Sequence, residues 1–315
     1  MKVYISRGYP IEAVAELKKD FDVEMHDSWV ALPKEELIKK TADADILITF
    51  TGVEIDDEVL DASPKLKLII SFYNMSRNPE AQRAAEERCI KVEALPPSYG
   101  WIVTGVAELT WGLIIAVGRR FVEGRKFITA GKFTHSEQAN HLLLGEGLSG
   151  RRLGIIGAGR IGREVARRAA GFDMDLVYYD PAPNDEIESY GAKLVDKATL
   201  IETSDYITIH IPNTDDNRHF IGEAEFKRMK NTAIIINTAR GRIIDEQAMI
   251  KALQQKQIAG AGLEVYEHEP DVPVEFWEMD NVMLSPHVGG SLRKERAEHF
   301  MRAVDICRKF KNETL

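Results

Sequence analysis

The sequence is poor in cysteine, with only Cys89 and Cys307 among 315 residues. Neither lies in a metal-type spacing such as CxxC, so the sequence offers no disulfide framework and no cysteine-based metal site. A chain with few cysteines and no disulfide framework is typical of a reducing compartment, so we expect a cytoplasmic protein. We also expect the protein to bind no metal. A chain of this length buries enough apolar surface to fold without either kind of cross-link.

An excess of positive charge is also lacking, because 41 basic residues face 50 acidic residues and the net charge is −9. Proteins that bind nucleic acids carry a basic footprint, so we expect no nucleic-acid partner. The N-terminal MKVYISRGYP predicts a strand and not a signal peptide. The apolar run 106–117 contains Glu108 and Thr110, and its length and polarity predict no membrane span and no membrane partner.

Short apolar runs alternate with amphipathic stretches along the chain, which predicts parallel sheets covered by helices on both faces. At roughly 150 residues per domain, the length predicts two such domains. The stretch 125–150 has four glycines and few strand signals, and we interpret it as an arm or long connection. The predicted strands are 2–6, 44–50, 66–71, 89–94, 151–157, 175–180, 206–212, 232–238, 259–265 and 281–287, and the predicted helices are 10–19, 78–88, 104–124, 159–171 and 291–310.

Residues 157–162 read GAGRIG and lie between a predicted strand and a predicted helix. Gly157 permits a tight turn, Gly159 lets the backbone approach a pyrophosphate, and Gly162 lets the helix pack close to the strand. The free N–H groups at the helix N-terminus then favour the anion. A glycine-rich turn alone is common, but here the next strand ends at Asp180, 18 residues past Gly162, where an acid accepts hydrogen bonds from the adenosine ribose.

Asp180 also predicts which cofactor binds. Its carboxylate would repel a 2′-phosphate, and the following PAPND contains no arginine to offset that repulsion. The sequence therefore favours NAD(H) over NADP(H).

Three further segments follow the ends of predicted strands: NTARGRIID with Arg240, GLEVYEHEP with Glu269, and LSPHVGGS with His287. Taken singly, each has an ordinary explanation as a surface arginine, a solvated glutamate or a loop histidine. Together they suit hydride transfer to or from a 2-hydroxy acid. An arginine holds the carboxylate with paired hydrogen bonds, a histidine exchanges the hydroxyl proton, and a carboxylate stabilises the imidazolium.

In this order, GAGRIG with Asp180, NTARG, GLEVYEHEP and LSPHVGG resemble the D-2-hydroxyacid dehydrogenase family over nearly the whole chain. The resemblance implies NAD-dependent hydride transfer between nicotinamide and a small D-2-hydroxy or 2-oxo acid, of the glyoxylate, hydroxypyruvate or sugar-acid type. It implies Arg240 as substrate-binding residue, His287 as acid/base and Glu269 as the partner of His287. The implied cofactor contacts are Gly157, Gly159, Arg160, Ile161, Gly162, Asp180, His210, Pro212, Thr238, Ala239, Arg240, Glu264, His287 and Gly289.

The family's fold is also implied. A Rossmann NAD-binding domain, residues 103–290, would be inserted into a discontinuous flavodoxin-like substrate domain, residues 1–102 and 291–315. Both would be doubly wound parallel-sheet α/β domains, with the active site in the cleft between them. The family's usual homodimer would be formed through an arm at about 120–150.

Two departures from the family pattern stand out. Glu264 occupies a position where the family commonly has Asp, so its longer side chain either contacts the nicotinamide carboxamide differently or turns aside. The substrate loop SFYNMSRNPEA (71–81) lacks the family's glycines. We expect it to bind substrate through Asn74, Met75, Ser76 and Arg77, with Arg77 either a second cation at the carboxylate or a solvent-exposed side chain.

Two alternatives remain open. One is a catalytically inactive, NAD(H)-sensing dimeric scaffold or corepressor, which would not require the intact arginine, glutamate and histidine. The other is a formate, phosphite or phosphoglycerate dehydrogenase on the same scaffold. The phosphoglycerate enzymes often carry a regulatory domain after the cofactor region, and we expect none here.

Overall fold

The computed structural model describes residues 1–28, 30–50, 52–72, 75, 78–95 and 99–314, the side chain of Tyr99 excepted. The chain divides into two compact units: Met1–Tyr99 with Leu292–Leu315, and Gly100–Ser291. Each unit contains one parallel sheet with helices between successive strands. The predicted fold class, a doubly wound nucleotide-binding domain inserted into a discontinuous flavodoxin-like domain, is confirmed.

The strands are β1 (Lys2–Ile5), β2 (Asp22–Met25), β3 (Ile46–Phe50), β4 (Leu68–Phe72), β5 (Lys91–Leu95), β6 (Arg152–Ile156), β7 (Asp175–Tyr179), β8 (Lys193–Leu194), β9 (Tyr206–Ile209), β10 (Ile234–Asn237), β11 (Gly260–Leu263) and β12 (Val282–Leu284). The α-helices are α1 (Ile11–Leu17), α2 (Lys34–Thr41), α3 (Asp57–Asp61), α4 (Pro79–Glu87), α5 (Tyr99–Gly118), α6 (Phe121–Thr129), α7 (Ser136–Leu142), α8 (Arg160–Ala169), α9 (Asp185–Ser189), α10 (Lys197–Thr203), α11 (Glu223–Arg228), α12 (Glu246–Gln254), α13 (Val274–Glu278) and α14 (Arg293–Thr314). Short 3₁₀ turns lie at Ala170–Phe172, Asp215–Asn217 and Gly241–Ile243.

The first unit has the strand order β2-β1-β3-β4-β5, which is the flavodoxin-like order. Its central strands β3 and β4 are buried along their whole length, as expected for strands covered on both faces. The C-terminal helix α14 returns to this unit and buries Phe300, Val304 and Cys307 in the same core as Leu17 of α1. This return makes the first unit discontinuous in sequence.

The second unit has the strand order β12-β11-β10-β9-β6-β7-β8. The order reverses between β6 and β9, and this switch point is where a crevice opens at the carboxyl ends of the strands in such folds. All of its strand pairs are parallel, so the loops after β6, β9, β10, β11 and β12 lie along one edge.

Helix α5 corrects the predicted helix 104–124. The helix ends at Gly118, and Arg120 takes a left-handed conformation with φ 55°, after which α6 starts at Phe121. Within the described residues, Gly100–Gly118 of α5 is the one helical stretch long and apolar enough to cross a membrane by length and composition alone. Its side chains Trp111 and Ile114 belong to the core of the second unit, and the Trp111 indole donates to the Val165 carbonyl at 3.2 Å.

The predicted connection 125–150 is more regular than expected, since it contains most of α6 and all of α7. Neither helix buries a residue. Both therefore derive little stability from packing within the chain, where tertiary contacts normally hold short helices.

Candidate active site

The glycine-rich turn between β6 and α8 has the geometry that its sequence predicts. Gly157 has φ 101°, and a Cβ there would lie 2.7 Å from the His210 carbonyl oxygen. A Cβ on Gly162 would lie 2.0 Å from the Gly157 carbonyl oxygen, so no larger residue fits. At Gly159 the nearest atom to such a Cβ is 3.9 Å away. The turn is therefore closely packed inside and open where a diphosphate would approach.

The helix that follows the turn begins without a side-chain cap. Gly159 is the N-cap of α8 and provides no side chain to satisfy the first N–H groups of the helix. Arg160 is exposed at this end, and Ile161 packs partly against the core. An anion at this position would meet the N–H donors of the first turn and the positive end of the helix dipole.

Asp180 lies after β7 and accepts a 2.8 Å hydrogen bond from the backbone N–H of Ala158. Its other oxygen is 3.5 Å from the N–H of Ala182. The carboxylate thus fixes the glycine-rich turn, and its remaining lone pairs stay available to ribose hydroxyls.

The segment after β9 contributes His210 and Pro212. The His210 Nε2 lies 2.7 Å from the Thr208 hydroxyl, while its Nδ1 is buried and has no hydrogen-bond partner among the described residues. Burial lowers the pKa of His210 to about 3, so its imidazole is neutral at physiological pH. Pro212 is exposed, and its carbonyl accepts from the Asn217 side chain at 2.9 Å.

The loop after β10 carries Thr238, Ala239 and Arg240. Asn237 holds this loop with both ends of its amide: the Oδ1 accepts from the Ala239 N–H and the Nδ2 donates to the Arg240 carbonyl, each at 3.0 Å. Thr238 is buried, and its hydroxyl lies 2.9 Å from that of Thr110. The exposed guanidinium of Arg240 donates to the Ala239 carbonyl. The anchored backbone thus presents a cation to solvent.

Glu264 lies directly after β11 and is only 2 % exposed. Its Oε1 accepts from the N–H of Gly289, and its backbone carbonyl accepts from the N–H of His287 at 3.0 Å. Its Oε2 is buried with no hydrogen-bond partner among the described residues. The extra methylene of Glu thus lets one oxygen hold the histidine loop, while the other stays available to a donor.

Glu269 and His287 form the hydrogen-bonded pair that the sequence predicts. The His287 Nδ1 lies 2.7 Å from the Glu269 Oε2, and the other Glu269 oxygen accepts from the Tyr266 N–H at 3.1 Å. His287 has φ 55°, a left-handed conformation that costs a non-glycine residue about 1–3 kcal/mol and is typical of functional sites. This arrangement leaves Nε2 to face a reactant.

The sheet brings these groups together. Asn237 pairs with Leu263 in the register of β10 and β11, and Leu263 pairs with Leu284 in that of β11 and β12. Neighbouring strands lie about 4.8 Å apart, so Arg240 and His287 follow strand ends separated by roughly 10 Å. The cation, the buried carboxylate and the imidazole therefore emerge from one edge of one unit.

The predicted substrate loop is only partly described. Asn74, Ser76 and Arg77 lie outside the described residues. Met75 is buried, its N–H donates to the Ser71 hydroxyl at 2.9 Å, and it lines a hollow of about 220 Å³ in the first unit together with Asn78.

Sequence reasoning missed two residues that organise the site. The sequence assigned Asn237 only to a strand. An Asn at the end of a buried strand also indicates a turn whose backbone its side-chain amide holds by hydrogen bonds. Tyr266 is buried and donates from its hydroxyl to the Ser285 carbonyl at 3.0 Å, which joins the glutamate loop to the histidine loop. Burial raises the pKa of Tyr266 to about 12, so the hydroxyl remains a donor.

These residues fit a nicotinamide dinucleotide. The open glycine turn and the helix N-terminus suit a diphosphate, and Asp180 suits a ribose. Two buried atoms that have no hydrogen-bond partner among the described residues, His210 Nδ1 and Glu264 Oε2, lie beyond the ends of β9 and β11 and require a polar partner. The fold and site define a dinucleotide-dependent oxidoreductase.

Comparison with known proteins identifies the family. The model of the D-isomer specific 2-hydroxyacid dehydrogenase NAD-binding domain matches residues 111–289, and that of the catalytic domain matches residues 3–174. The chain belongs to this family. It is an NAD-dependent oxidoreductase of 2-hydroxy and 2-oxo acids.

Individual relatives agree. A glyoxylate reductase of Thermococcus litoralis is 39 % identical over 298 residues, covering 94 % of this chain and 89 % of the relative. One of Thermococcus gammatolerans is 37 % identical over 293 residues, covering 92 % and 86 %. The apo-structure of D-lactate dehydrogenase from Escherichia coli has 27 % identity and a TM-score of 0.81, covering 99 % and 98 %. D-lactate dehydrogenase from Aquifex aeolicus, solved with NAD and lactic acid, has 26 % identity and a TM-score of 0.71, covering 99 % and 96 %.

Proposed function

We propose that the protein reduces glyoxylate, and hydroxypyruvate as a second substrate, with NADH. The observation that carries this proposal is the 2.7 Å pair of His287 and Glu269 on the same strand edge as Arg240. The choice of glyoxylate is supported by relatives named glyoxylate reductase at 35–39 % identity, which exceeds the 26–27 % of the two D-lactate dehydrogenases above.

The residues divide the chemistry among them. Arg240 binds the substrate carboxylate and polarises the C2 carbonyl, because its guanidinium offers paired donors. His287 donates its Nε2 proton to the C2 oxygen, and Glu269 stabilises the imidazolium before that transfer. Bound NADH supplies the hydride that reduces C2.

The cofactor is held by the residues that the sequence predicted. The turn with Gly157, Gly159 and Gly162 takes the diphosphate, with Arg160 and Ile161 beside it, and Asp180 takes the adenosine ribose. The nicotinamide half is lined by His210, Pro212, Thr238, Ala239, Arg240, Glu264, His287 and Gly289. Glu264 Oε2 is the acceptor that suits the carboxamide N–H₂.

The test is consumption of NADH with glyoxylate, hydroxypyruvate and pyruvate. We expect the highest kcat/KM with glyoxylate. His287→Ala should lower kcat by about 10²–10⁴-fold, and Arg240→Ala should raise KM and lower kcat. Arg228→Ala, which removes a surface guanidinium paired with Glu202, is the control and should match the wild type.

Two results would contradict the proposal. No turnover of any 2-oxo acid, together with NADH binding, would support the inactive sensor. NAD⁺ reduction by formate, phosphite or phosphoglycerate at higher kcat/KM would place the protein among the other dehydrogenases of this scaffold.

The substrate domain is proposed to comprise residues 1–102 and 291–315, and the NAD-binding domain residues 103–290, close to the division into the two units. In the substrate domain, Asn74, Met75, Ser76 and Arg77 are proposed to contact the acid. Arg77→Ala should change apparent affinity across a panel of acids, and an unchanged panel would remove Arg77 from the site.

A homodimer is proposed to form through the arm at about 120–150. Its support is a set of large apolar side chains, each more than half exposed, on a segment whose helices bury nothing. They are Phe121, Ile128, Phe133, Leu142 and Leu144. Light scattering should give twice the chain mass, and Phe133→Asp with Leu144→Asp should give a monomer.

The proposed compartment is the cytoplasm, where the free Cys89 and Cys307 stay reduced.

A further inference from the structure

The loop that carries Arg240 lies directly against the loop that carries Glu269. A Cβ on Gly241 would lie 1.9 Å from the carbonyl carbon of Tyr266 and 2.0 Å from its oxygen. Backbone therefore packs on backbone, with no room for a side chain between the two loops. We therefore expect a displacement of one loop to disturb the other.

A buried carboxylate links the same two loops. Glu246 is 5 % exposed in the first turn of α12, and its Oε1 accepts from the backbone N–H of Glu267 at 2.8 Å. It does not serve as the cap of its own helix, because Asp245 accepts from the Ala248 N–H at 3.0 Å and fills that role.

The surroundings of Glu246 make its burial unfavourable for folding alone. Burial raises the pKa of Glu246, and the carboxylates of Glu267 and Glu269 raise it further, opposed by the Glu267 N–H and by His268. Burial and the neighbouring negative charges both disfavour an ionised carboxylate at this position. A carboxylate that is present there nevertheless is expected to hold functional residues in place.

The side chain of Glu267 is held by a second contact. Its Oε1 lies 2.9 Å from the His219 Nε2. His219 has φ 50°, and its N–H donates to the Arg242 carbonyl at 2.9 Å, within the short turn that follows Arg240. Glu246 therefore holds the backbone of Glu267, and His219 holds its carboxylate. Glu246 and His219 both lie beside the loop that carries Arg240.

We propose that Glu246 is a positioning residue for the reaction: by holding the Glu267 N–H it orients Glu269 on His287 and keeps that pair in register with Arg240. The connection is short, since Tyr266, the neighbour of Glu267, donates its own N–H to Glu269 at 3.1 Å. The inference rests on the proposed function, in which Glu269 and His287 manage the proton.

The test compares Glu246→Ala, Glu246→Gln and Glu225→Ala. Gln keeps an acceptor for the Glu267 N–H, so it should restore what Ala removes. Glu225 is the matched control, because it likewise lies in the first turn of a helix of this unit and accepts a backbone N–H, that of Gly222 at 2.9 Å and not that of Glu267.

Three quantities are measured: kcat and KM for glyoxylate, the pH profile of kcat/KM, and the titration of the His287 imidazole followed by NMR. Glu246→Ala should lower kcat by about 10–100-fold, the usual cost of losing such a supporting bond, with a smaller change in KM. The pH profile and the NMR titration should both differ from those of the wild type, because Glu269 is no longer held against His287. Glu246→Gln and Glu225→Ala should resemble the wild type.

A wild-type pH profile and a wild-type His287 titration in Glu246→Ala would overturn the proposal, as would a Glu246→Gln variant as impaired as Glu246→Ala. If Glu246→Ala does not fold, Glu246→Asp and His219→Ala take its place. Both shorten or remove one contact to Glu267, and wild-type profiles in both would overturn the proposal equally. Failure of the proposed function is distinct: the wild-type protein would then be inactive, while the NMR titration would still report on positioning.

Discussion

Replacement of Glu269 by Gln removes one charge and leaves the shape of the site almost unchanged. The carboxylate lies 2.7 Å from the His287 Nδ1 and stabilises the protonated imidazole. Without that charge the imidazolium that donates its proton to a 2-oxo acid loses its ion-pair partner. kcat/KM for glyoxylate should therefore fall at neutral pH.

The magnitude follows from the geometry of the pair. Two unit charges at this separation interact by about 1.5 kcal/mol in water. The His287 and Glu269 side chains are 47 % and 34 % exposed, so solvent screening leaves about 1 kcal/mol. Since about 1.4 kcal/mol corresponds to a factor of ten in rate, the expected loss of kcat/KM is about fivefold.

The assay is kcat/KM for glyoxylate with NADH at neutral pH. Asp271→Asn is the matched control, because it removes an equal charge a few residues further along the chain and leaves the Glu269–His287 bond in place. An unchanged kcat/KM in Glu269→Gln would refute the reasoning. An equal loss in Asp271→Asn would show that the general field and not the ion pair is responsible.

Three further predictions follow from other residues of the site. The pKa of His210 falls from 6.5 in the unfolded chain to about 3 on folding, so the unfolded state takes up the proton first as pH falls. Stability in urea should then drop by up to about 2 kcal/mol between pH 7 and 5, and His210→Asn should lose less. Glu264→Asp withdraws the acceptor of the Gly289 N–H and should cost about 1–3 kcal/mol of unfolding free energy, whereas an unchanged urea midpoint would refute that bond. Asp180→Ala combined with Ala182→Arg should shift the kcat/KM ratio from NADH toward NADPH, and an unchanged ratio would dissociate Asp180 from the ribose.

Much of this site could be predicted because its functional residues lie in short sequence motifs. The turn Gly157–Gly162 demands glycine for reasons of space that the structure reproduces, with a Cβ on Gly162 only 2.0 Å from a carbonyl oxygen. Arg240, Glu269 and His287 each follow a strong strand signal, and in a parallel sheet strand ends share an edge. Sequence position therefore predicted spatial position.

What could not be predicted depends on contacts between distant segments or on an unusual backbone. Nothing in its residue type indicates that Arg120 takes a left-handed conformation and ends α5, since arginine has no special tendency to do so. Glu246 meets Glu267 only after α12 and the loop following β11 have packed. For Glu264 the sequence left two orientations open, and only the folded backbone supplied the Gly289 N–H that accounts for one of its oxygens.

The three adjacent strands β10, β11 and β12 determine how the protein loses activity when this sheet unfolds. Each contributes one chemical group, and none of the groups is near another in the chain until the sheet has assembled. A molecule in which this sheet has frayed therefore retains no partial constellation that could transfer protons to the wrong acceptor. We therefore expect damage to this sheet to abolish activity, so that residual activity in an ageing preparation would measure the fraction of intact molecules.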